Sequence, residues 1–116
     1  MKKIMTNKEN LDIIKDFKQV VNMSPQKLDS WLKTDESQQV GFKDADGGES
    51  IGHQSGRRII ELLKKKQKEY TADDFKHAQK VIGYIHRHLA QKPVGDITTT
   101  NWRYSLMNWG HDPKNK

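Results

Sequence analysis

The sequence predicts an all-α fold, and three observations carry that expectation. Apolar residues recur at spacings of three and four along five separate stretches. Helix-capping and helix-breaking residues stand between those stretches, notably Ser24-Pro25, Thr71 and Gly110. All but one of the connections are short, as in helical bundles. The 116 residues fit one domain. The expected architecture is a compact single domain of roughly five helices. A long irregular loop precedes a central basic helix, and residues 1–8 and 112–116 form flexible ends.

The first helix begins near Lys8 or Glu9, with Leu11, Ile14, Phe17, Val20 and Val21 as its apolar side. Asn22-Met23-Ser24-Pro25 ends it and starts the second, with Ser24 as N-cap and Pro25 in the first turn. Leu28, Trp31 and Leu32 share one face of this short helix. Thr34 to Ser55 reads as the long irregular section. Within it, Lys43 to Glu49 superficially resembles a calcium loop, but the twelfth position counted from Asp44 is Ser55 where a bidentate Glu is needed. The central helix carries Ile59, Ile60, Leu62 and Leu63 on its buried side. Thr71 and Asp74 form a capping box for the next helix, which runs to about Gln91 through Phe75, Ala78, Val81, Ile82, Ile85 and Leu89. Gly83 inside that helix costs ~1 kcal/mol against alanine, which implies close packing by another backbone or a bulky ring. A last helix places Trp102, Leu106 and Trp109 at i, i+4, i+7 for docking into the core, and Gly110 caps it.

The composition is 33% hydrophobic and 31% charged, with mean hydropathy −0.98. The core is therefore thin and draws on three Trp, three Tyr and three Phe. The chain has no cysteine, which excludes disulfides and thiolate metal sites. No apolar run follows the N-terminal lysines as in a signal peptide, and none approaches the ~20 residues of a membrane span. The expectation is a cytoplasmic protein without a membrane partner, nucleoid-associated if bacterial.

Charge is unevenly placed. Residues 1–50 hold 8 Lys+Arg against 9 Asp+Glu, and residues 51–116 hold 13 against 6. All of the net +6 thus resides in the second half. An anionic partner is the natural complement. The densest cations follow Gly47-Gly48-Glu49-Ser50-Ile51-Gly52-His53-Gln54-Ser55-Gly56. Arg57, Glu61, Lys64, Lys65 and Lys68 recur at i, i+4, i+7, i+8, i+11 and form one stripe of the central helix. Gly52, Ser55 and Gly56 are read as an anion-binding loop leading into its first turn, with Arg57 and Arg58 beside them. Lys80, Arg87 and Arg103 are secondary cations.

Other chemistries lack their spacing. Gly52 to Gly56 is not a nucleophile elbow, since Ser55 is one place late and no strand precedes it. His86 and His88 at i, i+2 point to different faces of a helix, and no i, i+4 histidine pair offers a zinc site, so no metal or cofactor is expected. Imidazoles hydrogen-bonded to backbone are the simpler reading. His53 and His86 would be the acid–base candidates of an enzyme, but no carboxylate–histidine pair can be placed beside either.

Three stretches carry a family resemblance: Gly48-Glu49-Ser50-Ile51-Gly52-His53-Gln54-Ser55-Gly56-Arg57-Arg58-Ile59, Gly83-Tyr84-Ile85-His86-Arg87-His88-Leu89-Ala90-Gln91-Lys92-Pro93 and Trp102-Arg103-Tyr104-Ser105-Leu106-Met107-Asn108-Trp109-Gly110-His111-Asp112-Pro113. From about Phe17 to Pro113 the chain resembles a small bacterial and fungal family classed as a domain of unknown function, whose members are often labelled DNA-binding. The resemblance implies nucleic-acid binding and supplies no catalytic residues. The combined expectation is a non-enzymatic, sequence-tolerant DNA-binding protein. Its phosphate contacts would be Arg57, Arg58, Lys64, Lys65 and Lys68, with Lys80, Arg87 and Arg103 in support. The alternative is a protein-interaction or stress-related accessory module that takes an acidic protein or a second copy of itself.

Overall fold

A computed structural model describes residues 7–40 and 51–114. Among these residues there are six α-helices, one 3₁₀ turn and no strand. They are α1 (Asn7–Val20), α2 (Pro25–Leu32), α3 (Asp35–Gln39), α4 (Ile51–Lys64), the 3₁₀ turn Gln67–Glu69, α5 (Ala72–Leu89) and α6 (Asn101–Asn108). The all-α class is as expected.

Local chemistry sets the boundaries where capping predicts it. The Ser24 hydroxyl accepts the Lys27 N–H at 3.1 Å and Pro25 occupies the first position of α2. Thr71 and Asp74 form their reciprocal box at the start of α5. Gly110, at φ +84, closes α6 in a Schellman motif: its N–H reaches the Met107 carbonyl, and the His111 N–H reaches that of Leu106.

Packing is nested rather than sequential. α1 lies mainly on α5, α2 on α4, and α6 against α2, α3 and α4. Phe17, Leu28, Ile59, Leu62, Val81, Ile85 and Leu106 lose essentially all contact with water at the centre. Aliphatic residues dominate this centre. Of the tryptophans only Trp109 is buried, while Trp31 and Trp102 flank the core. On α1 the buried side is Ile13, Ile14, Phe17 and Val21, and Leu11 is 52% exposed, against expectation.

Three expectations are corrected. The section from Thr34 to Ser55 is partly helical: α3 starts at Thr34, whose hydroxyl accepts the Ser37 N–H, and α4 already begins at Ile51. Residues 41–50 of that section lie outside the described residues. The basic helix ends at Lys64, so Lys65 and Lys68 do not continue its stripe. The end expected to be flexible from 112 is tied down at Asp112, which exchanges two hydrogen bonds with Asn22 and binds Arg103 through both carboxylate oxygens at 3.0 Å.

The approach of α4 to α6 depends on Gly56. A Cβ there would lie 2.6 Å from the Asn108 carbonyl oxygen and 2.8 Å from Leu32 Cδ2. Asn108 is itself buried, and its side chain makes three hydrogen bonds. Its Oδ1 accepts from Trp31 Nε1 at 2.7 Å and from the Ser37 hydroxyl, and its Nδ2 donates to the Ser37 carbonyl at 3.0 Å. Gly83 is different. No ring or foreign backbone packs on it, and a Cβ would meet only the Arg87 guanidinium, 3.1 Å away.

Three substitutions test these contacts. Gly56→Ala should lower stability by about 2–3 kcal/mol through overpacking, whereas Gly83→Ala should raise it by up to about 1 kcal/mol through helix propensity. Urea midpoints at constant slope read both. Asn108→Ala should cost about 2–4 kcal/mol, because the Trp31 N–H and the Ser37 hydroxyl lose their acceptor. A loss below 1 kcal/mol in the same titration would show that water replaces it.

Candidate nucleic-acid interface

The loop between α4 and α5 is short, and the two helices run antiparallel. Three contacts fix the register. The Ser55 hydroxyl and His77 Nε2 are 3.0 Å apart, Arg58 Nη2 is 3.4 Å from Asp74 Oδ1, and Gly52 shares a cleft with Lys80, Tyr84 and Arg87. Arg87, Lys80, Arg58 and Lys65 therefore fall along one seam, with Asp74 as its carboxylate. From Asp74 to Arg87 the seam is about 20 Å long at 1.5 Å per residue.

The expected loop at Gly52, Ser55 and Gly56 is helix instead. Gly52, Ser55 and Gly56 are residues of helix α4 and are buried. The glycines admit Asn108 and Trp109 of the α6 segment, and the Ser55 hydroxyl is taken by His77. The missed signal is their spacing: two glycines four residues apart share a helix face and let a neighbouring element come close. Arg57 and Arg58 consequently lie in the second turn of α4, not beside its first free N–H groups.

The predicted cations fall into distinct groups. Arg58 and Lys65 both bind Asp74, Lys65 at 2.6 Å. Burial would raise the Asp74 carboxyl, but Lys65 and the Thr71 N–H outweigh it and hold the group at about 2. Arg103 is committed to structure: it grips Asp112 and also donates to the Thr98 carbonyl at 2.9 Å. Lys64, Lys68, Lys80 and Arg87 are exposed, and none has a carboxylate within ion-pair distance among the described residues. Arg57, Glu61 and Lys64 share the neighbouring face of α4, where the glutamate dilutes the charge. The secondary cations Lys80 and Arg87 thus hold the better-placed positions.

Beside the seam runs a column of near-parallel rings: His77, Trp109, Tyr84, His88 and Trp102. Tyr84 and Trp109 are closest, with centroids 4.1 Å apart and planes 13° apart. Trp102 Nε1 donates to the His88 carbonyl at 2.7 Å, and His88 Nε2 lies 3.1 Å from the Trp102 carbonyl. The column bonds α5 to α6 and uses the faces of Tyr84.

The imidazoles mostly do serve backbone carbonyls. His53 Nε2 sits 2.6 Å from the Leu32 oxygen and His111 Nδ1 2.6 Å from that of Val20. His86 is exposed, and neither it nor His53 lines the cleft. Burial pushes His77 down to about 4, and the positive charges of Arg58 and Lys80 add to the shift. His88 is lowered by burial as well. No group of three His, Asp or Glu among the described residues could hold a metal, and no described helix is long and apolar enough to cross a membrane.

A family model described as "Protein of unknown function (DUF3140)" matches residues 16–107. The expected resemblance to an uncharacterised family is thus met, but the description carries no DNA-binding label. Neither a curated protein nor a solved structure matches the chain.

The histidine column sets a pH dependence. The unfolded chain protonates His77 near the ordinary value of 6.5, and the folded chain only near 4. Protons therefore favour unfolding across this window, so stability falls as pH drops from about 6.5 to about 4, and His77 contributes no further loss below it. Urea midpoints measured from pH 7 to 4 should fall less steeply in His77→Gln than in the parent protein.

Proposed function

We propose that this chain, which belongs to the family of proteins of unknown function DUF3140, is a non-enzymatic protein that binds DNA through its phosphate backbone along the α4–α5 seam. The observation that carries this reading is the charge of the seam. Arg87, Lys80, Arg58 and Lys65 line about 20 Å of it, and among the described residues Asp74 is the carboxylate that pairs with any of them. Lys80 and Arg87 have no carboxylate within ion-pair distance among the described residues, and Lys65 and Arg58 meet at Asp74. Phosphates spaced along a strand are the complementary pattern.

The ring column argues for backbone contact rather than base stacking. Tyr84, which lines the same cleft as Lys80 and Arg87, already stacks on both Trp109 and His88. The reading is therefore sequence-tolerant. Lys64 and Lys68 extend the positive field without belonging to the seam.

Binding to a labelled duplex and to a scrambled duplex across a salt series tests this. Four phosphate contacts give a slope of log affinity on log salt of about −3 to −4, equal for both duplexes. Lys80→Glu/Arg87→Glu should weaken binding by about tenfold or more, and Arg57→Glu/Lys64→Glu by clearly less. Absence of binding at low salt would sink the proposal and favour an acidic protein as the partner.

A further inference from the structure

The three tryptophans differ in one respect. The Trp31 indole N–H donates to Asn108 and the Trp102 indole N–H to the His88 carbonyl. The Trp109 indole N–H has no acceptor among the described residues, although Trp109 is 4% exposed. Buried indole N–H groups ordinarily find a partner. This one is also not sealed into the core, because among the described residues the only fully enclosed side-chain polar atom lacking a partner is Asn10 Oδ1.

Trp109 lines a cleft of about 390 Å³ at one end of the seam, together with Ile51, Gly52, Lys80, Tyr84, Arg87, Ser105 and Asn108. Gly52 keeps the N–H open: a Cβ at that position would stand 3.1 Å from Trp109 Nε1 and cover it. The Asn108 side chain accepts from Trp31 and Ser37 and donates to the Ser37 carbonyl. Among the described residues, the Trp109 indole N–H has no acceptor, and Lys80 and Arg87 have no carboxylate within ion-pair distance. Gly83 lets the Arg87 guanidinium fold back along α5.

We infer that this cleft binds a phosphoryl oxyanion, with the Trp109 indole N–H donating to one oxygen and Lys80 and Arg87 balancing the charge. Two full cations suit a doubly charged phosphate monoester, and the indole donor fixes its place. The cleft volume admits a phosphate with an attached sugar but not a duplex. The end of a strand is therefore the favoured source. That source rests on the DNA-binding reading, whereas the oxyanion site does not.

The test uses the full ¹⁵N-labelled chain and the three indole N–H signals. One indole proton should exchange with water faster than the other two. Inorganic phosphate at constant ionic strength should shift that same signal saturably, and chloride should not. Lys80→Gln and Arg87→Gln should each weaken phosphate about tenfold, and Gly52→Ala should abolish the shift. A 5′-phosphorylated hexanucleotide binding more tightly than its 5′-hydroxyl counterpart supports a strand end as the source, and equal binding with the same indole shift supports an internal phosphate. A response to inorganic phosphate without duplex binding upholds the cleft and overturns the seam. Duplex binding with the expected salt slope but no indole shift overturns the cleft and leaves the seam. A shift undiminished in both glutamine variants also overturns it.

Discussion

The contact of α4 with the end of α6 governs the rest of the structure. With Gly56 beneath it, the Asn108 carbonyl can approach the α4 backbone, and with Gly52 one turn earlier, Trp109 can follow. That approach brings the Asn108 amide to Trp31 and Ser37, so α2, α3 and α6 share one set of buried hydrogen bonds. The same approach seats Trp109 between His77 and Tyr84 and so locks α5 to α6. A buried amide bonded to two other helices favours one arrangement, since a slip would strand its polar partners away from water.

Positive charge in this protein has two uses. Arg103 and its Asp112 fasten the C-terminal segment, and Lys65 and Arg58 anchor the first turn of α5 through Asp74. Lys80 and Arg87 pair with no carboxylate among the described residues. Composition counts both kinds alike, and a stripe drawn on an ideal helix cannot separate them. Carboxylates close in space, though distant in sequence, decide which cations remain available.

Most of the fold was readable from the residues because local rules set it. Ser24-Pro25, Thr71 with Asp74, and Gly110 each mark a boundary through their own backbone chemistry. Thr34 followed by Asp35 and Glu36 carries the same kind of signal for α3 and was overlooked because no apolar period follows it. The start of α4 was misplaced for a different reason. Gly52, Ser55 and Gly56 have poor helix propensity, and only the tertiary contact with Asn108 and Trp109 makes small residues favourable there. The central role of Asn108 had no local signature at all, since a single asparagine in a tryptophan-rich tail reads as surface. The candidate site was only partly readable: its residue types were foreseen, but the ranking of Lys80 and Arg87 depends on the α4–α5 register.

The nested packing also bears on how quickly the chain reaches this state. Asn22 and Asp112 are 90 residues apart, and α1 finds its main partner only in α5. Helical bundles usually fold fast because neighbours in sequence are neighbours in space. Here each early helix must wait for a late one, and the loops to be closed span most of the chain. The contacts that complete the fold join segments distant in sequence. For a small helical domain, the rate is therefore set by topology rather than by helix formation.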